Sequence, residues 1–474
     1  MAGHHTRGRF AREDLAAACA TPVADNGGMT RSATVASSDT DITTLPNGVR
    51  VVTIRMPWLA SASASVFVRT GSGHESARLS GISHVVEHMA FKGTTTRDAA
   101  RINIDAERLG ADVNAHTDKD HTAYHLSGMA RDAAEFVRML GDIVRRPTFP
   151  AAELERERQV ILQEYLEDEE DPMSTAFRQF DKLCYGAHPM AQAVIGTRRN
   201  IERFTRDELL AYVDQQYSGS NVVVGVAGNV DHDAIVREAE AAFGDMPAGT
   251  PHAMDVPTWF GGVKANRLAG CSQSHVVLGY PIASMKDDQP AASVAAALFG
   301  EGMSSPLMNE IRERRGLVYY AACSADIMEA CGQFVIEAST TPDKVDELLR
   351  ETHRLLQAHA SSVGAIDLER ARNQIAVRQM RSQERPVRRV EDAALDLFVH
   401  GRMRSPEELR ERVEGVSADQ VREAFARMLA APPVLAIAGK LGALTGERLR
   451  ELVSAEAPRG RSSSQVRRAT GQVH

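Results

Sequence analysis

The sequence predicts an α+β protein in which one chain forms two similar domains, each a mainly antiparallel sheet with helices packed on it. Three observations support this fold class. The chain has 474 residues, which is more than one hydrophobic core usually supports. A stretch rich in proline and glycine, GDMPAGTPHAMDVPTW, divides it near the middle. After this stretch the order of strands and helices repeats.

These observations predict where each domain begins and ends. We expect a catalytic domain over residues 41–245, a linker over 246–258 and a second domain over 259–442. Residues 1–40 have neither the apolar run of a secretory signal nor the acid-free composition of a transit peptide, so we expect a disordered extension, and Met29 could replace Met1 as the true start. Residues 455–474 belong to a tail rich in serine and arginine, which we also expect to be disordered.

Composition restricts the partners and the compartment. The hydrophobic fraction of 43% and the charged fraction of 25% are typical of soluble globular proteins. A net charge of −8 argues against nucleic acid or an anionic membrane as the main partner. No apolar stretch is long enough to span a bilayer. The five cysteines lack metal-type spacing, and their odd number without a secretory signal favours reduced thiols in the cytoplasm.

The elements of the first half follow from local patterns. In ITTLPNGVRVVTI the pair Asn47-Gly48 between two apolar runs predicts a hairpin with a type I′ turn. ASASASVFVRT alternates with period two and predicts a half-buried strand. LSGISHVVEHMAFKGT has apolar residues at helical spacing and a stop signal at Gly93. Next come two strands in GADVNAHTDKDHTAYHLSGM, two helices in DAAEFVRMLGDIVRRPTF and AAELERERQVILQEYLEDEEDP, and the buried strand SNVVVGVAGNV.

The second half repeats this order with different residues. CSQSHVVLGYPI is a predicted strand in the place of ASASVFVRTGSG. FGEGMSSPLMNEIRERRG is a predicted helix, ended by Gly316, in the place of the HVVEH helix. PPVLAIAGKL corresponds to SNVVVGVAGNV as the last buried strand. The two halves are therefore expected to share one topology.

The motif with the clearest chemistry is His84-Val85-Val86-Glu87-His88. Side chains four residues apart lie on one face of a helix, so both imidazoles can reach one metal ion. The intervening glutamate flanks the same site and can take a proton from an attacking water. The motif alone also fits a helix with two half-exposed histidines. A catalytic zinc ion needs three protein ligands, so a third must come from elsewhere.

The acidic helix ELERERQVILQEYLEDEED offers several candidates for the third ligand. Glu157 and Glu164 are seven residues apart, so they share a helix face, and they flank the apolar pair Val160-Ile161. A carboxylate on that face needs a charge or a metal as its partner. The other glutamates of this helix are expected to face solvent. The residues alone leave the choice of ligand open.

Three blocks of the chain, GISHVVEHMAFKGT, NAHTDKDHTAYHL and ERERQVILQEYLEDEEDP, resemble the insulinase/pitrilysin family of zinc peptidases. Within that family the mitochondrial processing peptidase-like branch is the most similar. The resemblance covers residues 41–440 and includes PMAQAVIGT and GMSSPLMNEIRERRGLVYY. It implies a zinc-dependent endopeptidase with one Zn²⁺ per chain, because the second half lacks a His-x-x-Glu-His motif.

The resemblance also implies roles for individual residues. His84 and His88 match the histidine ligands, and Glu87 matches the general base. The family's third ligand follows the second histidine by about 76 residues, and 164 − 88 = 76 selects Glu164. Glu157 matches a nearby glutamate that orients a ligand through a hydrogen bond.

Substrate contacts are implied in both halves. Asn114 and Ala115 match residues of an edge strand that pairs with the substrate backbone. Arg312 and Tyr319 resemble an Arg/Tyr pair that reaches across a chamber towards the scissile bond, and both side chains can donate hydrogen bonds to a carbonyl oxygen. Pro306 departs from the family, which often has an arginine there, so one contact is missing.

Two histidines of the second predicted strand need a separate interpretation. His121 and His125 lie on one face of that strand and could suggest another metal. We expect them to be solvated or packed instead.

The resemblance implies a closed chamber built from four such domains, so a second chain is needed. A homodimer suffices, because one chain carries both the zinc motif and the Arg/Tyr pair; a heterodimer with a homologue is the alternative. The expected substrates are peptides or unfolded segments. Two further alternatives are a processing peptidase dedicated to one precursor and a non-catalytic structural homologue.

Overall fold

The computed structural model of the chain describes residues 39–454. The predictions for residues 1–38 and 455–474, including the alternative start at Met29, lie outside the described residues. Two mixed sheets with helices packed on them form the described part, which confirms the predicted α+β class. Among the helices of residues 39–454, none combines the length and apolar character that crossing a bilayer requires.

The first half contains a six-stranded sheet. Its strands are β1 (Thr40–Thr44), β2 (Arg50–Arg55), β3 (Ser61–Val68), β4 (Asp112–Thr117), β5 (Thr122–Met129) and β6 (Val222–Gly228). Their order in the sheet is β1-β2-β6-β3-β5-β4, and only β2 and β6 run parallel.

Eight α-helices belong to the described first half. They are α1 (Ile82–Ala90), α2 (Ala99–Arg108), α3 (Ala133–Arg145), α4 (Ala151–Glu170), α5 (Pro172–Tyr185), α6 (Arg198–Arg203), α7 (Arg206–Gln216) and α8 (His232–Phe243). Short 3₁₀ turns lie at Ser72–His74, Ala130–Asp132, Pro189–Ala191 and Gly219–Asn221.

The second half contains a five-stranded sheet. Its strands are β7 (Gly262–Arg267), β8 (Ser274–Ile282), β9 (Val318–Ile327), β10 (Gly332–Thr340) and β11 (Val434–Gly439), in the order β7-β11-β8-β10-β9. Only β7 and β11 run parallel. The helices are α9 (Ala291–Gly300), a π-helix (Leu307–Arg314), α10 (Val345–Ser361), α11 (Ala365–Gln383), α12 (Pro386–His400), α13 (Pro406–Glu414), α14 (Ala418–Ala430) and α15 (Gly446–Ser454).

The two sheets repeat one topology, as the sequence predicts. When β1 is set aside, β2-β6-β3-β5-β4 and β7-β11-β8-β10-β9 correspond strand by strand, including the parallel pair. One predicted correspondence is wrong. The element in the place of the HVVEH helix is α9, whereas FGEGMSSPLMNEIRERRG contributes the π-helix, which stands in the place of α2. The apolar run AASVAAALF forms α9, and eight of the ten residues of this helix are buried.

The hairpin of β1 and β2 exists, but its turn is not type I′. A type I′ turn needs positive φ at two successive residues. Here only Gly48 has positive φ, at 91°, and the Gly48 N–H donates to the Leu45 carbonyl at 2.9 Å. Pro46 fixes its φ near −65°, so the turn is centred on Pro46-Asn47 instead of Asn47-Gly48.

Each sheet is covered on one face by a helix from the other half. Helix α12 packs on the first sheet and α5 packs on the second. The predicted half-buried strand β3 is therefore buried on both faces over nearly its whole length. Its serines face α12, where small side chains let the helix approach.

Two glycines make the close approach of these helices possible. A Cβ on Gly225 of β6 would lie 2.2 Å from a methyl carbon of Val390 in α12. A Cβ on Gly279 of β8 would lie 2.5 Å from the ring of Phe180 in α5. Both distances are far below van der Waals contact, so the strands need glycine at these points.

Candidate active site

Helix α1 has one apolar and one polar face, as its residue spacing predicts. Val85, Val86 and Met89 are buried in the hydrophobic core of the first half. His84, Glu87 and His88 lie on the other side and are half-buried. The helix thus presents two imidazoles and a carboxylate from one surface.

The start of α1 is fixed by Glu75, a residue that sequence reasoning did not find. Its side chain is 1% exposed and accepts the backbone N–H groups of Gly81 at 2.7 Å and Ser83 at 2.8 Å. These are donors that the first turn of a helix leaves without partners. Burial raises the pKa of Glu75 to about 7, against the lowering effect of those hydrogen bonds. The sequence gives little indication of this capping role, because Glu75 lies in a loop several residues before the helix.

Helix α4 brings Glu164 to the two histidines. Glu164 Oε2 lies 3.8 Å from His84 Nε2 and 3.5 Å from His88 Nε2. One donor atom from each residue lies within 4.8 Å of the other two. The structure thus brings together the three residues that the sequence resemblance selected as ligands.

Glu157, two helical turns before Glu164 on α4, binds the ring nitrogen of His88 that faces away from Glu164. Its Oε1 lies 2.9 Å from His88 Nδ1, and its Oε2 lies 2.6 Å from Lys92 Nζ. Burial would raise the pKa of Glu157, but the hydrogen bonds from Lys92 and His88 outweigh it and lower the pKa. The ionised carboxylate holds the proton of His88 on Nδ1, so Nε2 keeps its lone pair facing Glu164.

Glu87 is held beside the histidines by Thr117 of β4. The Thr117 hydroxyl donates to Glu87 Oε2 at 2.7 Å. Burial raises the pKa of Glu87 above its usual value, although this hydrogen bond and His88 lower it. A carboxylate whose pKa lies above the usual range is a better proton acceptor. Sequence reasoning missed Thr117, because the contact depends on how α1 packs against β4.

The donor set fits a zinc ion. Ligand atoms around a tetrahedral ion at about 2.1 Å lie roughly 3.4 Å apart, close to the observed 3.5 and 3.8 Å between the Glu164 and histidine atoms. Burial, followed by the neighbouring His88, lowers the pKa of His84 to about 4, so its imidazole is neutral as metal binding requires. Two imidazoles and one carboxylate are a ligand set typical of catalytic zinc.

A cavity of about 510 Å³ opens beside these residues. Its lining includes His84, Glu87, Ala115 and Thr117, together with Phe177 of α5. Strand β4 is the edge of its sheet, so its outer side is free to pair with an extended chain. The Ala115 N–H donates at 2.8 Å to the side chain of the exposed Asn114, a contact that a substrate carbonyl could replace.

Arg312 and Tyr319 lie together but away from this cavity. Arg312 is on the π-helix and Tyr319 on β9, with the guanidinium 5.6 Å from the ring centroid. The Tyr319 side chain is 83% exposed. Neither residue lines the cavity beside His84. Within one chain the structure therefore does not bring the pair to the histidines.

Comparisons with known proteins agree with this geometry. The family model described as "Insulinase (Peptidase family M16)" matches residues 50–198, and the model described as "Peptidase M16 inactive domain" matches residues 203–375. An uncharacterized zinc protease of Rickettsia felis is 30% identical over 384 residues, which cover 80% of this chain and 93% of the relative. An uncharacterized zinc protease of Streptomyces coelicolor is 30% identical over 428 residues, covering 87% and 92%.

The fold has counterparts among solved structures. The structure described as the peptidase M16 inactive domain from Pseudomonas fluorescens superposes with a TM-score of 0.78 at 23% identity, covering 86% of this chain and 100% of that one. The narrower assignment to the mitochondrial processing peptidase-like branch stays a prediction.

Proposed function

Because the chain belongs to the insulinase family of peptidases, we propose that it is a zinc-dependent endopeptidase that hydrolyses peptides or unfolded segments. The observation that carries the proposal is the convergence of His84, His88 and Glu164, with Glu87 on the same helix face. All four side chains are the types that metal-assisted hydrolysis needs.

In the proposed mechanism His84, His88 and Glu164 hold one Zn²⁺ per chain. The bound ion would supply a Lewis acid that polarises the scissile carbonyl and acidifies water. Glu87 accepts the proton of the attacking water and returns it to the leaving amine. Thr117 keeps the Glu87 carboxylate oriented, and Glu157 keeps His88 in the ligating tautomer.

The proposed substrate binds as an added strand on β4. Its backbone would pair with the outer edge near Asn114 and Ala115, which borders the cavity at the histidines. Main-chain pairing requires an extended segment, so folded proteins are poor substrates. This favours peptides and unfolded stretches.

The proposed active form is a homodimer in which Arg312 and Tyr319 act on the partner's substrate. Support comes from their positions, since they are adjacent, accessible and outside the cavity of their own chain. Both side chains can donate hydrogen bonds to an oxygen that gains negative charge.

The decisive experiment is Glu87→Gln, measured on a library of quenched fluorescent peptides. The variant should keep its zinc, because Glu87 is not a ligand, and should lose at least about 100-fold in turnover, the usual contribution of a general base. Glu107→Gln, which changes an exposed glutamate of α2, is the matched control and should retain activity. Wild-type turnover in Glu87→Gln would refute the general-base role. No hydrolysis by the wild-type enzyme, loaded with zinc, would favour the non-catalytic alternative.

A mixing experiment tests the shared sites. Glu87→Gln and Arg312→Ala chains should each be inactive alone. A heterodimer of the two has one site with an intact Glu87 and an intact Arg312 from the other chain, so partial activity should return. Confirmed heterodimers without any recovery would show that the pair does not act across chains.

A further inference from the structure

A second cluster of nitrogen and oxygen donors lies at the end of the β4–β5 hairpin. His116 Nε2 lies 3.3 Å from His121 Nε2, and His121 Nε2 lies 3.9 Å from Asp118 Oδ2. One donor atom from each of the three residues lies within 4.8 Å of the other two. None of these residues has a role in the hydrolysis proposed above.

The rings of this cluster are held in place by other side chains. His121 Nδ1 lies 2.8 Å from Asp120 Oδ1. His116 Nδ1 lies 3.0 Å from His125 Nε2, and His125 Nδ1 lies 2.7 Å from Ser65 Oγ. A carboxylate partner such as Asp120 commonly orients a metal-binding imidazole.

The placement of the protons leaves two lone pairs free to converge. His121 Nδ1–H donates to Asp120, so His121 Nε2 carries a lone pair. If His125 donates to Ser65 Oγ and His116 Nδ1–H donates to His125, then His116 Nε2 also carries a lone pair. In this arrangement every histidine is neutral, and the Nδ1 atom of each ring keeps its hydrogen-bond partner. The two lone pairs face each other across 3.3 Å and need a positive charge between them.

The distance between the two Nε2 atoms also matches that of two ligands on one metal ion. Two nitrogen ligands at about 2.05 Å from a tetrahedral ion lie roughly 3.3 Å apart, and that is the observed distance. The same ion position can be reached by the Asp118 carboxylate, which is exposed and free to adjust.

The surroundings carry negative charge. Asp118, Asp120 and Glu391 of α12 all act on His121, and Arg388 of α12 is the cation that acts on His116. These carboxylates outnumber the cation, so a positive charge between the imidazoles is favoured.

We propose that His116, His121 and Asp118 form a second metal site, which binds a divalent transition-metal ion such as Zn²⁺. Two imidazoles select late first-row transition ions over Mg²⁺ and Ca²⁺, which prefer oxygen ligands. The fourth ligand would be water. His121 and His125 are both buried next to Phe67, as expected of packed histidines. The proposal adds metal binding to the role of His121 and gives His125 a supporting role.

An ion here would tie the end of the hairpin together. His116 precedes the turn and His121 follows it, so one ion would cross-link the two strands. Thr117, the next residue, holds Glu87, and His116 also borders the cavity of the first site. The second ion would thus stiffen the edge strand that is proposed to bind substrate.

The test counts metal ions on the full chain. All proteins carry His4→Ala and His5→Ala, so that this adjacent histidine pair does not bind the ion. Each protein is stripped with a chelator, loaded with Zn²⁺, desalted and measured by elemental mass spectrometry. We expect two ions per chain in this background, one in His116→Ala, one in Asp118→Ala and one in Glu164→Gln. Asp112→Ala, an exposed aspartate on the same strand, is the matched control and should keep two.

A second readout separates ligation from folding. In Glu164→Gln, which lacks the first site, added Zn²⁺ should shift the nitrogen-15 resonances of His116 and His121 at Nε2. A background protein that binds one ion, lost in Glu164→Gln and kept in His116→Ala and Asp118→Ala, would overturn the proposal. So would a second ion that survives both of those substitutions. Neither result depends on whether the enzyme hydrolyses peptides.

Discussion

Replacement of Glu157 by alanine should weaken zinc binding without removing a ligand. Glu157 is 8% exposed and bonds His88 Nδ1 at 2.9 Å, so water cannot easily take its place. A hydrogen bond to a charged group contributes about 1.5–3 kcal/mol. At about 1.4 kcal/mol per tenfold, its loss corresponds to roughly 10–150-fold in affinity. This agrees with the about 10–100-fold expected for a residue that orients a metal-bound histidine.

The assay is competition for Zn²⁺ against a chromophoric chelator, followed by turnover at increasing free zinc. Glu157→Ala should bind zinc 10–100-fold more weakly, and most of its turnover should return when zinc saturates the site. Glu157→Gln should lie in between, because one oxygen remains for two donors, His88 and Lys92. Glu155→Ala on the same helix is the control, since its side chain is 68% exposed. Unchanged affinity in Glu157→Ala, or lost turnover that saturating zinc does not restore, would refute the reasoning.

Other predictions concern stability, measured by denaturant unfolding. Leu397→Ala in α12 removes a side chain that is 2% exposed between the halves, and should cost about 2–5 kcal/mol. Glu329→Ala removes a buried carboxylate and leaves the half-buried Arg69 without its ion-pair partner, so it should cost about 3–5 kcal/mol, less when Arg69→Ala accompanies it. Because burial raises the pKa of Glu75 to about 7 from 4.5, its ionisation opposes folding. Stability should fall by up to about 3 kcal/mol as the pH rises from 4.5 to about 7, and Glu75→Gln should remove this part of the slope.

Local patterns predicted most elements because each depends on nearby residues. The spacing of Ile82, Val85, Val86 and Met89 decides both the helix and its buried face. The turn at Asn47-Gly48 was misassigned because Pro46, one position earlier, sets the backbone first. Hydrophobic period and composition therefore predict that an element exists more reliably than they predict its backbone geometry.

The site could be predicted only in part from the residues themselves. The motif on α1 identifies two ligands and a base, but the residues of α4 left both Glu157 and Glu164 open as the third ligand. Selecting Glu164 needed the family resemblance, because the convergence of two helices is a property of packing. Thr117 and Glu75 were missed for the same reason, since nothing near them in the chain indicates their partners.

The burial of β3 also depends on packing. The alternation of its residues predicted that one face would be exposed to solvent. Instead α12 covers that face, although it lies more than 300 residues further along the chain, as 386 − 68 = 318. The amphipathic pattern of α12 shows that it has an apolar side. It does not show which sheet that side will cover.

The exchange of α5 and α12 makes the two halves mutually dependent for expression. A gene fragment encoding only the first half would produce a sheet whose apolar face lacks α12, and an α5 helix without its sheet. A fragment encoding only the second half would lack α5 on its sheet, and its α12 would have no sheet to cover. Proteolytic cleavage within residues 247–261, which contain no helix or strand, should by contrast leave the two pieces associated. Two separately expressed pieces should therefore assemble when produced together, and aggregate when produced apart.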